Sequence, residues 1–205
     1  MKSEFDKKAR EWDKKERRVR VAKEIAASIL ERTKVPEGAD ILDYGTGTGL
    51  VLLSFAGRGG TLTGVDTSDE MLKVLREKAE EDEITNLSTA VIDIESARFP
   101  GEYDLITASM VMHHMDKPYL LVKEAEEALR PGGFFAAADL EEEDGSFHDA
   151  SHSVKYAGFS KEAMQSMFHD AGLIDIKSEK VTEIVKEKDG EEKSYSVLLT
   201  IGCKP

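Results

Sequence analysis

The sharpest chemical signal in the chain is Ile41-Leu42-Asp43-Tyr44-Gly45-Thr46-Gly47-Thr48-Gly49, a short apolar run entering three glycines at every second position. Glycines spaced in this way let a backbone approach a ligand closely, and the amide groups that open a following helix present a partial positive charge to it. Tight packing alone would also account for them. The dinucleotide fingerprint G-x-G-x-x-G needs glycine at position 50, where the chain has Leu50, so a nicotinamide or flavin site fits poorly. Asp66 lies 21 residues beyond Gly45, where an acid at a strand tip can accept both hydroxyls of a ribose or simply open a helix. A third acid, Asp93, is expected at the same edge of the sheet.

Imidazoles form a second group. His113 and His114 are adjacent, and His148 and His152 are four residues apart with Asp144 nearby. They could surround a metal, but the segment lacks a clear helical period and the glutamate of HExxH. The expectation is therefore no metal site. His169 reads as a helix-surface residue, and Cys203, the single cysteine, as an inert one. A basic run from Lys7 to Arg20 carries a local charge of +5; it reads as a solvated helix face, or as a guide for an anionic substrate with Phe5 and Trp12 closing over the site.

The elements that must position these residues alternate. Helical spacing over Phe5 to Arg32 predicts one long helix or two short ones, stopped at Val35-Pro36. Strands are predicted at Asp40 to Tyr44, Leu62 to Asp66, Ser88 to Ile92, Leu105 to Ser109 and Phe134 to Asp139. Helices are predicted from Leu50, from Ser68 to Glu81, and from Lys117 to Leu129, the last ended by Pro131-Gly132-Gly133. Thr67-x-x-Glu70 reads as a capping box for the Ser68 helix. Glu141 to Gly158 has no period and is expected to be a lid loop. A helix from Ser160 to Ala171 and two strands, Ile174 to Val185 and Ser194 to Cys203, complete the chain, the strands joined as an antiparallel hairpin. Alternation of this kind implies parallel strands with right-handed crossovers, an α/β Rossmann-like three-layer sandwich.

Composition narrows the function. A chain of 205 residues, 40% hydrophobic, suits one domain, residues 1–205, with residues 1–34 as a helical cap. A net charge of -13 disfavours nucleic acid and anionic membrane surfaces as partners. The longest apolar run, Phe134 to Ala138, is far too short to span a bilayer, and the charged N-terminus is unlike a signal peptide. With one cysteine, this predicts a cytoplasmic protein, a monomer or homodimer.

Over nearly its whole length the chain resembles the class I S-adenosylmethionine-dependent methyltransferases of the small-molecule, type 11-like group. The resemblance rests on Asp43-x-Gly45-x-Gly47-x-Gly49, Gly64-Val65-Asp66-x-Ser68-x-x-Met71-Leu72, Asp93, Tyr103-Asp104-Leu105-Ile106 and Leu129-Arg130-Pro131-Gly132-Gly133. It implies a seven-stranded, mostly parallel sheet with an antiparallel last strand, and S-adenosyl-L-methionine as cofactor. It also implies that Gly45, Thr46 and Gly47 approach the methionine part, with Asp43 near its amino group. By the same resemblance Asp66 takes the ribose, Met71 or a neighbour covers adenine, Asp93 and Ile94 reach the adenine edge, and Gly49, Thr67 and Ser109 line the cofactor's surroundings. Relatives often carry histidine beside the transferred methyl, which implies His114, or else His113, as general base or orienting donor; both could equally be structural. The implied activity is methyl transfer to a small-molecule acceptor, with carbon, oxygen and nitrogen all open. A non-catalytic cofactor-binding sensor or partner subunit is the alternative.

Overall fold

The computed structural model describes residues 4–58, 60–94, 96–148, 154–188 and 190–205. Among these, seven strands form one sheet in the order β3-β2-β1-β4-β5-β7-β6. They are β1 (Ile41–Tyr44), β2 (Leu62–Asp66), β3 (Leu87–Val91), β4 (Tyr103–Ser109), β5 (Leu129–Leu140), β6 (Ile174–Lys188) and β7 (Glu191–Cys203). The first five are parallel to one another, and β7 runs antiparallel between β5 and β6. The predicted architecture and last-strand direction are therefore observed. Strand order reverses between β1 and β4, so the crevice beyond their carboxyl ends is where an open sheet of this kind takes its ligand.

Two apolar layers sandwich the sheet. On one face, α2 (Glu16–Arg32) buries Val21, Ala22, Ile25, Ala26 and Ile29, and α3 (Asp69–Glu81) buries Leu72 and Leu75 into the same cluster. On the other face, α4 (Pro118–Ala128) and α5 (Lys161–Asp170) pack Leu121, Val122, Ala125, Met164 and Phe168. Near-continuous burial of β1 and β2 follows from helices on both sides. No described helix is long and apolar enough to cross a membrane.

Several local expectations are corrected. The α3 cap is Ser68, whose hydroxyl accepts from the Met71 amide at 3.2 Å, while Thr67 is exposed one residue too early to do this. A serine at the cap already satisfies that orphan donor, so Thr67-x-x-Glu70 is not the capping box. The segment after Leu50 forms a 3₁₀ stretch, Leu52–Arg58, rather than an α-helix; Gly57 near its end and Gly60 just beyond it penalise helical propagation. The fifth strand starts at Leu129, so Pro131, Gly132 and Gly133 lie within it, opposite an irregularity in pairing between Tyr103 and Leu105. Of the two forms expected for the leading segment, the two-helix one is observed: α1 (Glu4–Lys8) and α2, separated by a 3₁₀ turn at Ala9–Glu11.

Candidate active site

The glycine turn leaves β1 at the reversal of strand order. Gly45, Gly47 and Gly49 have φ of +67°, +55° and +79°, values at which a Cβ is strained. Their environments differ. Gly47 has open space where a side chain would be, whereas a Cβ on Gly49 would overlap Leu75, and one on Gly45 would lie 2.6 Å from the Val111 side chain. Gly47 thus keeps room for a ligand. Gly49 lets the turn settle on α3, and Gly45 lets the β4 exit pack against the turn.

Asp43 and Asp66 carry the electrostatics. Asp43 is buried and accepts from Thr107 Oγ1 at 2.7 Å. Burial raises its pKa to about 7, opposed by the hydroxyls of Thr107 and Thr46. Thr46 Oγ1 is itself buried and makes no hydrogen bond of good geometry, so its donor or acceptor capacity remains largely unspent. Asp66, at the tip of β2, accepts from the Gly47 amide at 2.8 Å and the Ser68 amide at 2.9 Å; burial raises its pKa, with those amides opposing. A buried acid with no cation beside it among the described residues, a buried Thr46 hydroxyl with no hydrogen bond of good geometry and a glycine with free space fit a ligand bearing an ammonium group and hydroxyls, as S-adenosylmethionine does.

Of the other expected cofactor residues, Met71 is fully buried on α3, Ile94 is buried beyond β3, Asp93 is exposed with its carbonyl accepting from Ser96 and Ala97, Thr67 is exposed, and Ser109 ends β4 half-buried. All five lie at or just beyond the carboxyl ends of β2, β3 and β4, on the same side as the glycine turn.

The leading segment lies over this side. Asp6 accepts from Ser68 Oγ at 2.5 Å, and Asp13 accepts from Thr48 Oγ1 at 2.5 Å and from Lys78 Nζ at 2.8 Å. The Phe5 ring meets Trp12 at 6.0 Å and the edge of His114 at 5.4 Å. The basic run is largely spent within the chain: Arg10 pairs with Glu77, Lys14 with Glu11 and Arg20 with Glu24, while Arg17 donates to the Val185 carbonyl. These are pairs of a solvated face rather than an open cationic patch.

A histidine cluster stands at the ends of β4 and β5. His113 and His114 belong to a 3₁₀ turn, Met112–His114, directly after Val111. His113 is buried; its Nδ1 lies 2.5 Å from a carboxylate oxygen of Asp139, which is also buried. Its Nε2 lies 3.0 Å from Nε2 of His148 in the Glu141 to Gly158 loop. The His114 ring is 4.1 Å from that of His113 and 5.2 Å from that of His148, centroid to centroid. One ligating atom from each of the three rings falls within 4.8 Å of the others. His152 lies outside the described residues. His169 is exposed on α5 and beside Asp170, away from the cluster.

Asp139 went unnoticed as a site residue. Its type at the end of an otherwise apolar strand, Phe134 to Ala138, was the available signal, because an acid in that position must be paired or exposed. Phe147, expected on a lid, instead belongs to the core, edge-on to Tyr195 at 5.1 Å with Lys186 Nζ 3.4 Å above its ring. The loop is tied to the histidine turn by the Lys155 and Tyr156 amides, which donate to the His113 carbonyl at 2.9 and 3.2 Å.

Known proteins share this domain and fold. Residues 42–137 match the family model described as a methyltransferase domain. That stretch of the chain carries a methyltransferase domain. Over 98 residues the domain is 32% identical to the ubiquinone biosynthesis O-methyltransferase of Acinetobacter baylyi, covering 47% of this chain and 41% of that protein. The aligned region thus spans less than half the length of that relative. In fold, the methyltransferase domain is similar to a Haloferax volcanii protein solved with the Trm112 methyltransferase activator, at a TM-score of 0.81 and 23% identity over 100% of this chain and 99% of that one. It is likewise similar to Haemonchus contortus phosphoethanolamine N-methyltransferase 2 in complex with S-adenosyl-L-methionine, at a TM-score of 0.71 and 19% identity over 88% and 52% of the two chains.

Proposed function

We propose that the protein transfers a methyl group from S-adenosylmethionine to an oxygen of a small molecule. One observation carries the reading: the glycine turn with its buried Asp43 packs, through Val111, against the turn that presents His113 and His114. Donor and acceptor sites are thereby adjacent at the reversal of strand order. Asp43 would hold the cofactor's amino group, Thr46 and Gly47 its amino-acid part, and Asp66 its ribose, with Met71, Asp93 and Ile94 around the adenine. The cofactor supplies an electrophilic methyl on a sulfonium, and the protein contributes chiefly alignment of the acceptor.

The similarity to ubiquinone biosynthesis O-methyltransferases favours oxygen over carbon or nitrogen as the acceptor atom. A hydroxyl acceptor must lose a proton, and the imidazoles of His113 and His114 are placed to receive or steer it. Asp139 fixes the His113 ring by engaging Nδ1, which leaves Nε2 directed toward His148. The α1 segment, with Phe5 against His114, and the described residues after β5, 141–148 and 154–158, would enclose the acceptor, and closure of this kind excludes water. A small neutral or weakly charged acceptor suits the paired basic run, and the net charge of -13 argues against nucleic acid. We also infer a cytoplasmic location, supported by the single cysteine.

The test is turnover with a panel of phenols, aliphatic alcohols, amines and activated carbon acids, read as S-adenosylhomocysteine formed. Methylation of a hydroxyl, with His113→Ala and His114→Ala each lowering rate about 10²- to 10⁴-fold at unchanged cofactor affinity, is the expected result. Full turnover in both variants would show that the histidines are structural. Cofactor binding without turnover of any acceptor would favour the sensor reading.

A further inference from the structure

We propose that His113, His114 and His148 form a binding site for one divalent transition-metal cation of the zinc class. Of the four histidines among the described residues, three converge here from two separate segments, the end of β4 and the loop after β5. Their ligating atoms lie within 4.8 Å of one another. Zinc binds imidazole nitrogen at about 2.0–2.1 Å with tetrahedral angles, which places two such nitrogens roughly 3.3 Å apart. His113 Nε2 and His148 Nε2 are already 3.0 Å apart, so small rotations of these rings and of His114 would seat an ion.

The surroundings match. Metal-ligating histidines characteristically engage a carboxylate through the other ring nitrogen, which fixes the tautomer and directs the lone pair at the metal. Asp139 does this to His113: its carboxylate lies 2.5 Å from Nδ1 and also accepts from the Leu140 amide at 2.7 Å and the His113 amide at 3.3 Å. The site is buried at His113 and half-buried at the other two residues, so an ion can enter while one face remains open. Three neutral imidazoles suit zinc, iron, nickel or copper rather than magnesium or calcium. Three protein ligands leave a coordination position for an exogenous ligand, the pattern of a catalytic rather than a structural site.

The use of this ion deepens the proposed methyl transfer and rests on it. With the ion bound, the three imidazoles serve as its ligands in place of the proton-accepting role given to His113 and His114 above: the acceptor hydroxyl would take the open position and lose its proton to solvent at neutral pH. Its oxygen then forms the new bond to the methyl carbon as the carbon–sulfur bond breaks and sulfur keeps the electron pair. Cation binding itself does not depend on that reading.

The experiment titrates cobalt(II), and separately zinc, into the full chain after chelator treatment and dialysis. Cobalt occupancy is followed by visible absorption and both ions by the thermal midpoint. Saturation at one equivalent per chain is expected, with a tetrahedral or five-coordinate cobalt spectrum. His148→Ala should abolish it, Asp139→Asn should weaken it about 10- to 100-fold, and His169→Ala, on the distant α5 surface, should leave it unchanged. If His113→Ala fails to fold, His148→Ala decides alone, because its side chain is not needed to close the sheet. Absence of saturable binding, or binding unchanged in His148→Ala, overturns the site. Titration of S-adenosylhomocysteine into the same samples separates this outcome from failure of the methyltransferase reading.

Discussion

Replacing Asp43 with asparagine should make the empty protein more stable and the cofactor bind worse. Burial raises the Asp43 pKa from 3.8 to about 7, so the folded protein holds this proton more tightly than the unfolded chain. The resulting penalty is absent below about pH 4, grows as pH rises toward 7, and is constant above. At about 1.4 kcal/mol per pH unit it reaches roughly 4 kcal/mol. Asparagine stays neutral and can still accept from Thr107, but its buried amide donors lack a guaranteed partner, at a cost of about 1–3 kcal/mol. A net gain of about 1–3 kcal/mol is therefore expected at pH 8 and a net loss at pH 4, measured by urea unfolding. Binding should move the other way. A cationic amino group beside Asp43 favours the carboxylate, so wild-type affinity should fall by up to about tenfold per pH unit below 7. At pH 8 the asparagine variant should lose about 1.5–3 kcal/mol of affinity, the scale of a charged hydrogen bond, with a flatter pH profile. Equal affinity in the two proteins at pH 8, or a stability difference that does not grow between pH 4 and pH 8, would refute this account of the buried acid.

Asp66→Ala should weaken S-adenosylhomocysteine binding by about 1.5–3 kcal/mol in calorimetry, and should loosen the glycine turn by removing the acceptor of the Gly47 amide. Ser68→Ala should lower stability by about 1 kcal/mol through loss of the α3 cap, whereas Thr67→Ala should be close to neutral, both read from chemical unfolding. A mobility-shift assay with transfer RNA or duplex DNA near physiological salt should show no retention; a specific complex would overturn the inference from net charge.

The sheet was legible because its signals are local and repeated: short apolar runs alternate with amphipathic helices, and Gly45, Gly47 and Asp66 occupy the turns where a ligand can be reached. What escaped was set by contacts distant in sequence. Ser68 rather than Thr67 caps α3 because the helix begins at Asp69, one residue later than the motif suggests. The extent of β5 was hidden by Pro131, which reads as a stop yet lies in the strand where pairing with β4 is irregular. The Asp139–His113–His148 arrangement joins residues 26 and 35 positions apart, and no period or spacing rule brings a loop histidine to a particular strand end. Phe147 misled for the same reason, since β7 supplies Tyr195 and β6 supplies Lys186 to bury it.

The most direct test of the central claim is isothermal titration of the protein at pH 8 with S-adenosylhomocysteine and, separately, with NAD. One-to-one binding of S-adenosylhomocysteine, lost or weakened in Asp43→Asn and Asp66→Ala, with no heat from NAD, is the predicted result. Tight NAD binding, or no binding of S-adenosylhomocysteine by a folded protein, would contradict the assignment of this glycine turn and these two acids to a sulfonium cofactor.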